Sequence, residues 1–242
     1  KKIKLFFSKL IPSIFSSGVT QINILVGTII ASFQAGAVSY LYYADRVYQI
    51  NLAIAGIAVG TVMLPELSKN IRRNNFKKII NLQNRALELC LFLSIPAGVA
   101  LVLASEQIIT SLFGYGSFDN TSVINTALAL TFFAFGVPAF AILKILSNFF
   151  FARNDTKTPF YLSVVSVVLN IIISLTLFNR LGFVIIPIAT SFSSWINVLM
   201  HFYFIKKRNL HSFDTKFIYK FPRIVLSVVV MGVILYLLLG FF

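Results

Sequence analysis

The stretch that decides the fold is Ser39–Leu67, with the sequence SYLYYADRVYQINLAIAGIAVGTVMLPEL. It is long enough to cross a bilayer as one helix, yet Asp45 and Arg46 stand side by side near its start. If the hydrocarbon begins near Ser39, Arg46 lies about 10 Å inside it, at a rise of 1.5 Å per residue. A charge at that depth costs roughly 2.5 to 3.5 kcal/mol on insertion scales, so it needs water or a polar partner.

Helical spacing gathers the polar residues of this stretch on one face. Four side chains follow the intervals i, i+3, i+4 and i+7, namely Tyr42, Asp45, Arg46 and Gln49. Ala53, Gly56 and Gly60 continue this stripe as small residues. The pattern predicts a helix whose polar side lines a water-filled cavity. The alternative is an interfacial anchor, in which Arg46 extends to the headgroups and the two glycines form only a packing notch.

The composition is that of an integral membrane protein, with 58% hydrophobic and 12% charged residues in 242. Apolar runs of about 20 residues predict an all-α fold with about seven transmembrane helices. The formal net charge is +14, but lysine and arginine cluster in alternate loops, in Lys1–Lys9, Lys69–Arg85, Arg153–Lys157 and Lys206–Arg223. This positive-inside pattern indicates cytoplasmic loops that contact anionic membrane lipids, and it argues against a nucleic-acid partner.

Residues for catalysis or metal binding are scarce. Seven residues are acidic, and the six other than Asp45 fall at span ends or in loops, so no carboxylate pair stands out for acid–base chemistry. His201 and His211 are isolated, and the single Cys90 can form no internal disulfide. The sequence therefore predicts that the protein is not an enzyme and carries no cofactor.

The apolar runs also set the order of the chain. The predicted spans are about Leu10–Phe33, Ser39–Leu67, Ala86–Leu103, Ser122–Phe151, Pro159–Phe178, Phe183–Ile205 and Phe221–Phe242. Pro65 is expected to end the second span, and the basic Ser68–Arg85 to form a short surface helix. The motif Gly136-Val-Pro138 is expected to break the fourth span in mid-membrane. Lys144 follows that break, and of its two interpretations, reaching the cytoplasmic edge is favoured over facing the cavity.

Two polar sets face each other across the hairpin of the fifth and sixth spans. One set is Asn170 and Ser174, and the other is Thr190, Ser193, Ser194 and Asn197. These side chains either form hydrogen bonds between the two helices or bind an ion. The last run is uniformly apolar, which predicts a peripheral helix that faces lipid.

Five motifs carry a resemblance to a known family. They are TQINILVGTIIASF, SYLYYADRVYQI, GIAVGTVMLPELS, SLFGYGSFD and FFARNDTKTPF. Over essentially its whole length the chain resembles the MurJ (MviN) lipid II flippases, part of the multidrug/oligosaccharidyl-lipid/polysaccharide exporter superfamily. The resemblance implies a bacterial cytoplasmic (inner) membrane protein with two six-helix lobes around a cationic cavity.

The resemblance further implies that this chain is the C-terminal half of such a protein. Residues 1–205 would form the second six-helix transporter lobe. Residues 206–242 would form a cytoplasmic amphipathic linker and one extra peripheral transmembrane helix. The N-terminal lobe would be missing from the chain, which also begins without methionine and ends at a hydrophobic run.

The function implied is movement of lipid II, an undecaprenyl-diphosphate-linked peptidoglycan precursor, from the cytoplasmic to the outer leaflet by alternating access. Arg46 matches the second-lobe arginine that meets the diphosphate, and Asp45 would orient it or balance its charge. Tyr42 and Gln49 share the face, although Gln49 stands where some members have glutamate. The alternatives are a related exporter of other lipid-linked oligosaccharides or drugs, a non-transporting membrane scaffold, and an integral-membrane transferase, which the few carboxylates disfavour.

Some family members bind sodium between the helices that match the first, fifth and sixth spans. Asn170 and Thr190 match that site, but Gly27 and Ser174 stand where aspartates are usual. Because a hard cation depends on carboxylate charge, we expect sodium binding here to be weak or absent.

Overall fold

The computed structural model describes residues 21–240, and every regular element in that range is helical. The elements are α1 (Gln21–Ala31), α2 (Ala37–Leu52), a π-helix (Ala53–Ala58), α3 (Val59–Arg72), α4 (Phe76–Leu103), α5 (Ser105–Phe113), α6 (Asn120–Ala134), α7 (Val137–Phe151), α8 (Lys157–Leu181), a 3-10 turn (Gly182–Val184), α9 (Ile185–Lys207) and α10 (Thr215–Leu239). The basic lead-in Lys1–Lys9 and the first half of the first predicted span lie outside the described residues.

Five helical stretches of the described part are long and apolar enough to cross a membrane. They are Ala37–Arg72, Phe76–Leu103, Asn120–Phe151, Lys157–Lys207 and Phe217–Leu239. The fourth is a hairpin that reverses at Gly182, where φ is 60° and a Cβ would lie 2.7 Å from Oε1 of Gln34. When the hairpin is counted as two spans and the shorter apolar helix α1 is added, the described part of the structure has the seven spans that the sequence predicts. The all-α membrane class is confirmed.

The prediction that Pro65 ends the second span is wrong. The helix that starts at Ala37 continues through the π-helix and through Pro65 to Arg72. A proline removes only its own N–H from the helical ladder, and here the helix tolerates that loss. The inner end is reinforced because the Ser68 hydroxyl donates to the carbonyl of Leu64 at 2.8 Å.

The basic segment Ser68–Arg85 does not form a separate surface helix. Its first residues extend α3 to Arg72, and its later residues begin the 28-residue helix α4 at Phe76. The turn between them uses Asn74 at φ 51°, and the Asn75 side chain caps α4 by accepting from the N–H of Lys78. Asparagine suits both tasks, since it tolerates the left-handed conformation and caps helices well.

Other expected boundaries are confirmed or shifted slightly. The break at Gly136 separates α6 from α7, as predicted. A short helix, α5, ends just before Gly114. The linker that was expected to run from Lys206 to Lys220 is much shorter, because α9 continues to Lys207 and α10 begins at Thr215. Asp214 starts α10 by accepting from the N–H of Phe217 at 2.7 Å.

Within residues 21–240 the basic loops lie at one end of the bundle, which the positive-inside rule assigns to the cytoplasm. There Arg153, in the turn between α7 and α8, donates to the carbonyls of Phe149 at 2.6 Å and Leu210 at 3.0 Å. Gln83 on α4 also donates to the Leu210 carbonyl, at 3.2 Å. These bonds fasten the α9–α10 linker to the bundle, and we call Gln83, Arg153, Leu210 and His211 the linker clamp.

His211 gives the linker clamp a pH dependence. Burial lowers the pKa of His211 to about 4, with Asp214 opposing and Arg153 adding to the shift. Its Nδ1 lies 3.2 Å from Oε1 of Gln83, and among the described residues its buried Nε2 has no partner. Because the unfolded state binds the proton first, near pH 6.5, stability should fall as pH drops from about 6.5 to 4.

We therefore expect thermal stability of the full-length protein to fall more between pH 7.5 and pH 5 for the wild type than for His211→Gln. The glutamine removes the titrating ring but keeps a polar group beside Gln83. Melting curves of both proteins at the two pH values measure the difference. Equal losses would show that His211 is not the group responsible.

Candidate functional site

An open cavity of about 1230 Å³ runs along one side of the bundle. Its walls come from α1, from the long helix α2–α3, and from α7, α8 and α9. The apolar cores lie behind these walls, around Leu130 and Ile185 toward one end and around Leu146, Phe149 and Phe150 toward the other. The packed cores hold the cavity-facing side chains at fixed positions on the helices.

The end of the cavity nearest the start of α2 is lined by polar residues of the predicted stripe. Tyr42, Asp45 and Gln49 all line the cavity, and Ala53, Gly56 and Gly60 continue the lining along the same helix. The Asp45 carboxylate accepts a hydrogen bond from the Gln49 amide and another from the hydroxyl of Tyr48. Asp45 is therefore held in place by neutral donors from its own helix.

Arg46 is exposed and is not among the residues that line the cavity, although Tyr42 and Asp45 beside it are. Its Nη2 donates to the Tyr42 hydroxyl at 3.2 Å, and its guanidinium carbon lies 4.8 Å from the centre of the Tyr42 ring. Within residues 21–240 it forms no ion pair with Asp45. Adjacent residues of a helix do not face each other, so Tyr42, four residues earlier, orients the guanidinium in place of the expected Asp45. The cation of Arg46 thus remains available to an anionic ligand.

The middle of the cavity wall contains the π-helix Ala53–Ala58, which the sequence did not predict. Here α7 lies close to the π-helix. A Cβ on Gly56 would lie only 3.1 Å from the Cα of Ala141. The Asn148 amide donates to the carbonyl of Gly60 at 3.0 Å. π-Helical turns occur mostly as single insertions in α-helices, frequently at functional sites. The glycine stripe therefore both lines the cavity and seats α7 against it.

The inner half of the cavity holds polar residues that the sequence reasoning left out of the site. Lys144, Ser147 and Asn148 of α7 line it, together with Asn197 and His201 of α9. The favoured interpretation of Lys144 as a side chain reaching the cytoplasmic edge is wrong, since it lies on the cavity wall with its stem near Gly56. The spacing of Lys144 and Asn148, and of Asn197 and His201, at i and i+4 was the available signal.

The polar residues of α1, α8 and α9 meet as one hydrogen-bonded cluster. The Asn170 amide donates to Oδ1 of Asn23 at 2.8 Å and to the hydroxyl of Thr190 at 3.3 Å. The side-chain oxygen Oδ1 of Asn170 accepts a hydrogen bond from the Ser174 hydroxyl at 3.2 Å. Asn170 and Thr190 are thus brought together as expected, with Asn23 as a partner that sequence reasoning had not assigned to this cluster.

This cluster does not fit a sodium site. A hard cation needs several free oxygens, and carboxylates bind it most strongly. Here the side-chain oxygens of Asn23, Asn170 and Thr190 already accept hydrogen bonds from neighbouring side chains. Within the described part of the chain, no group of three or more histidine, cysteine or acidic side chains is placed to hold a metal ion. The arrangement is that of hydrogen bonds between helices.

We expect sodium to leave the stability of the full-length protein unchanged. Replacing potassium chloride by sodium chloride at constant ionic strength should give the same melting temperature. Ser174→Asp should make stability sodium-dependent, because it places a carboxylate beside the oxygens of Asn170 and Thr190. A sodium-dependent shift in the wild type would contradict this account of the cluster.

The fold and sequence match known proteins over nearly the whole chain. A relative from Rhizobium meliloti (strain 1021) named "Probable lipid II flippase MurJ" is 41% identical over 226 residues, which are 93% of this chain and 42% of the relative. A solved structure described as "Lipid II flippase MurJ, inward closed conformation" superposes with a TM-score of 0.77 at 28% identity, covering 98% of this chain and 53% of that one.

A more distant structure shares the fold. An outward-facing multidrug resistance MATE family transporter of the MOP superfamily superposes with a TM-score of 0.70 at 18% identity, covering 91% of this chain and 51% of that chain. The chain spans less than half the length of the curated relatives it matches.

The family model described as "Lipid II flippase MurJ" matches residues 1–242. The chain therefore belongs to the MurJ lipid II flippase family, whose members are multi-pass transporters of the inner membrane and not enzymes.

Proposed function

We propose that this chain forms the second, C-terminal lobe of a lipid II flippase. In this proposal residues 1–205 supply one wall of the translocation cavity, and residues 206–242 supply a short linker and an additional peripheral helix. The first lobe, which lies outside this chain, closes the cavity from the other side. The observation that supports the proposal best is the polar stripe of α2, which lies along a cavity large enough for a polar head group.

The diphosphate of the cargo is assigned to Arg46. Guanidinium is the side chain best suited to bidentate phosphate contact, and Tyr42 holds this one in place without neutralising it. Asp45 lies on the cavity wall nearby and offsets part of the positive charge of Arg46. A site that combines one cation with a carboxylate binds an anion less tightly than a purely cationic site does, so the cargo is released more easily.

Transport then follows an alternating-access cycle about a site near the membrane midplane. The inward-open protein takes up the head group from the cytoplasmic leaflet, and the two lobes rock so that the head group faces the outside. The polyprenyl tail stays in lipid throughout. The membrane potential assists outward movement of the anionic head group, by about 2.3 kcal/mol per charge per 100 mV.

Anionic lipids are the second class of partner that we propose. Five basic side chains at the end of α3 and the start of α4 are exposed at the cytoplasmic end, namely Lys69, Arg72, Arg73, Lys77 and Lys78. Each basic residue next to an anionic leaflet contributes about 1 kcal/mol of favourable binding free energy. They hold the inner end of the long α2–α3 helix at the headgroups.

Vesicles containing the purified full-length protein test this function. The expected result is protein-dependent movement of lipid II across the bilayer, measured by the access of an impermeant enzyme to the head group. A related exporter would instead move other lipid-linked oligosaccharides or drugs in the same vesicles. A scaffold would move none of them, and that outcome would overturn the proposal.

A further inference from the structure

The inner half of the cavity is a second polar site, separate from the Tyr42–Gln49 stripe. Arg46 and Gly56 are ten residues apart on one helix, which corresponds to about 15 Å. The stem of Lys144 lies against Gly56, since a Cβ on that glycine would be 3.3 Å from Cγ of Lys144. Lys144 therefore lies in the cavity wall on the cytoplasmic side of Arg46, which is exposed beside the other end of the stripe.

Lys144 has no anionic partner of its own. Within residues 21–240 the ion pairs are Arg208 with Asp155 and Lys220 with Glu88, both away from the cavity lining. Lys144 is exposed to the cavity, so its ammonium group is free to bind an anionic part of a ligand. A lysine in that position supplies a mobile point charge, which suits a carboxylate whose position varies.

The neighbours of Lys144 offer both donors and acceptors. His201 is 1% exposed, and its Nδ1 must donate to the Asn197 carbonyl at 3.0 Å, because a carbonyl can only accept. The Nε2 of His201 is then an acceptor, and it lies 3.5 Å from the Ser147 hydroxyl. Asn148 uses its amide nitrogen on the Gly60 carbonyl at 3.0 Å.

Asn197 supplies the observation that points to a ligand. It lines the cavity and is only 7% exposed, yet its Oδ1 has no hydrogen-bond donor within the described part of the chain. A buried amide oxygen without a donor costs about 1–3 kcal/mol. Such an oxygen is satisfied by an O–H or N–H donor from a bound molecule. The site thus combines one cation with several neutral donors and acceptors.

We infer that Lys144, Ser147, Asn148, Asn197 and His201 form an inner subsite for the sugar–peptide head group of the cargo. Sugar hydroxyls and amides match the neutral donors and acceptors, and a peptide carboxylate matches Lys144. With the diphosphate at Arg46, the head group extends toward the cytoplasmic end and reaches this subsite. This inference rests on the proposed function and adds that the lobe distinguishes lipids by their head group as well as by their phosphates.

Binding measurements with two ligands test the inference. The probes are lipid II and undecaprenyl diphosphate, which has the same tail and phosphates but no head group. In the purified full-length protein, Lys144→Gln should weaken lipid II binding by about tenfold, as expected for one charge-assisted hydrogen bond, and leave undecaprenyl diphosphate binding unchanged. Arg46→Gln should weaken both.

Matched variants make the result specific. Lys144→Arg should restore most of the affinity for lipid II, and Lys157→Gln, an exposed lysine at the start of α8, should bind both ligands like the wild type. Asn197→Leu, which removes the unpartnered oxygen at similar volume, should also weaken lipid II selectively.

Two outcomes would overturn the inference. In the first, Lys144→Gln binds lipid II as tightly as the wild type. In the second, it loses affinity equally for both ligands. If the wild type binds neither ligand, the proposed function itself fails, which is a distinguishable result.

Discussion

Replacing Arg46 by alanine in the full-length protein is expected to abolish lipid II translocation without affecting membrane insertion or thermal stability. A bidentate guanidinium–phosphate contact makes two charge-assisted hydrogen bonds at about 1.5–3 kcal/mol each, so its loss reduces affinity by at least about a hundredfold. Stability should change little, because the hydrogen-bond partner of Arg46 in the structure is an exposed tyrosine and Asp45 keeps its hydrogen bonds from Gln49 and Tyr48. The vesicle assay and a melting curve measure the two properties.

Two further arginine variants control this result. Arg180→Ala changes an exposed arginine in the last turn of α8, away from the cavity lining, and should translocate lipid II normally. Arg46→Lys keeps the charge but loses the planar fork, so it should retain only part of the activity. Normal translocation by Arg46→Ala would refute the assignment of the diphosphate to this residue.

Replacing Gly56 by valine should disturb the cavity wall where α7 packs against it. The added Cβ would meet the backbone of Ala141 at 3.1 Å and the stem of Lys144 at 3.3 Å, and a backbone atom cannot move aside as a side-chain end can. Overpacking of this kind costs about 1–3 kcal/mol. We expect a lower melting temperature and a displaced Lys144, and therefore weaker binding of lipid II.

Gly27→Ala is the matched control for this prediction. Gly27 also lines the cavity, but among residues 21–240 a Cβ there would meet only Cγ2 of Ile186 at 3.6 Å, which is an ordinary contact. Its melting temperature should equal that of the wild type. If Gly56→Val is as stable as Gly27→Ala, then α7 is not seated on the glycine stripe as described.

The sequence was most informative where helical periodicity and charge placement acted together. The spacing of Tyr42, Asp45, Arg46 and Gln49 predicted a cavity-lining face, and all of these except Arg46 line the cavity. The distribution of lysine and arginine predicted which loops lie together, and contacts such as Arg153 with Leu210 join two of those loops. Both patterns involve residues close together in the sequence, and the membrane requires them. They are therefore the same in the sequence and in the folded protein.

Features that depend on contacts between distant helices could not be read in the same way. Lys144 was expected at the cytoplasmic edge because its own segment shows only its distance from the end of the span. Its position is set by the close approach of α7 to Gly56 on another helix. The π-helix Ala53–Ala58 and the helical passage through Pro65 likewise leave no periodic signal in the residues around them.

The hydrogen bonds of the α1–α8–α9 cluster show the same limit. Polar residues on the facing legs predicted that Asn170 and Thr190 meet, and they do. The sequence did not show that Asn23 on α1 would complete the cluster, 147 residues away in the chain. It also could not show that the oxygens suited to a cation are already used by amide and hydroxyl donors.

The most direct test of the central claim is whether position 46 faces water. Arg46→Cys in the full-length protein, with Cys90 and any other cysteine replaced, can be treated with a membrane-impermeant thiol reagent in native membranes. Cys90 is buried, so its replacement by alanine or serine leaves position 46 as the reporter. We expect rapid labelling by the impermeant reagent, because position 46 is exposed beside the cavity-lining Tyr42. Labelling only by lipid-soluble reagents would mean that this face of α2 meets the acyl chains and would contradict the account.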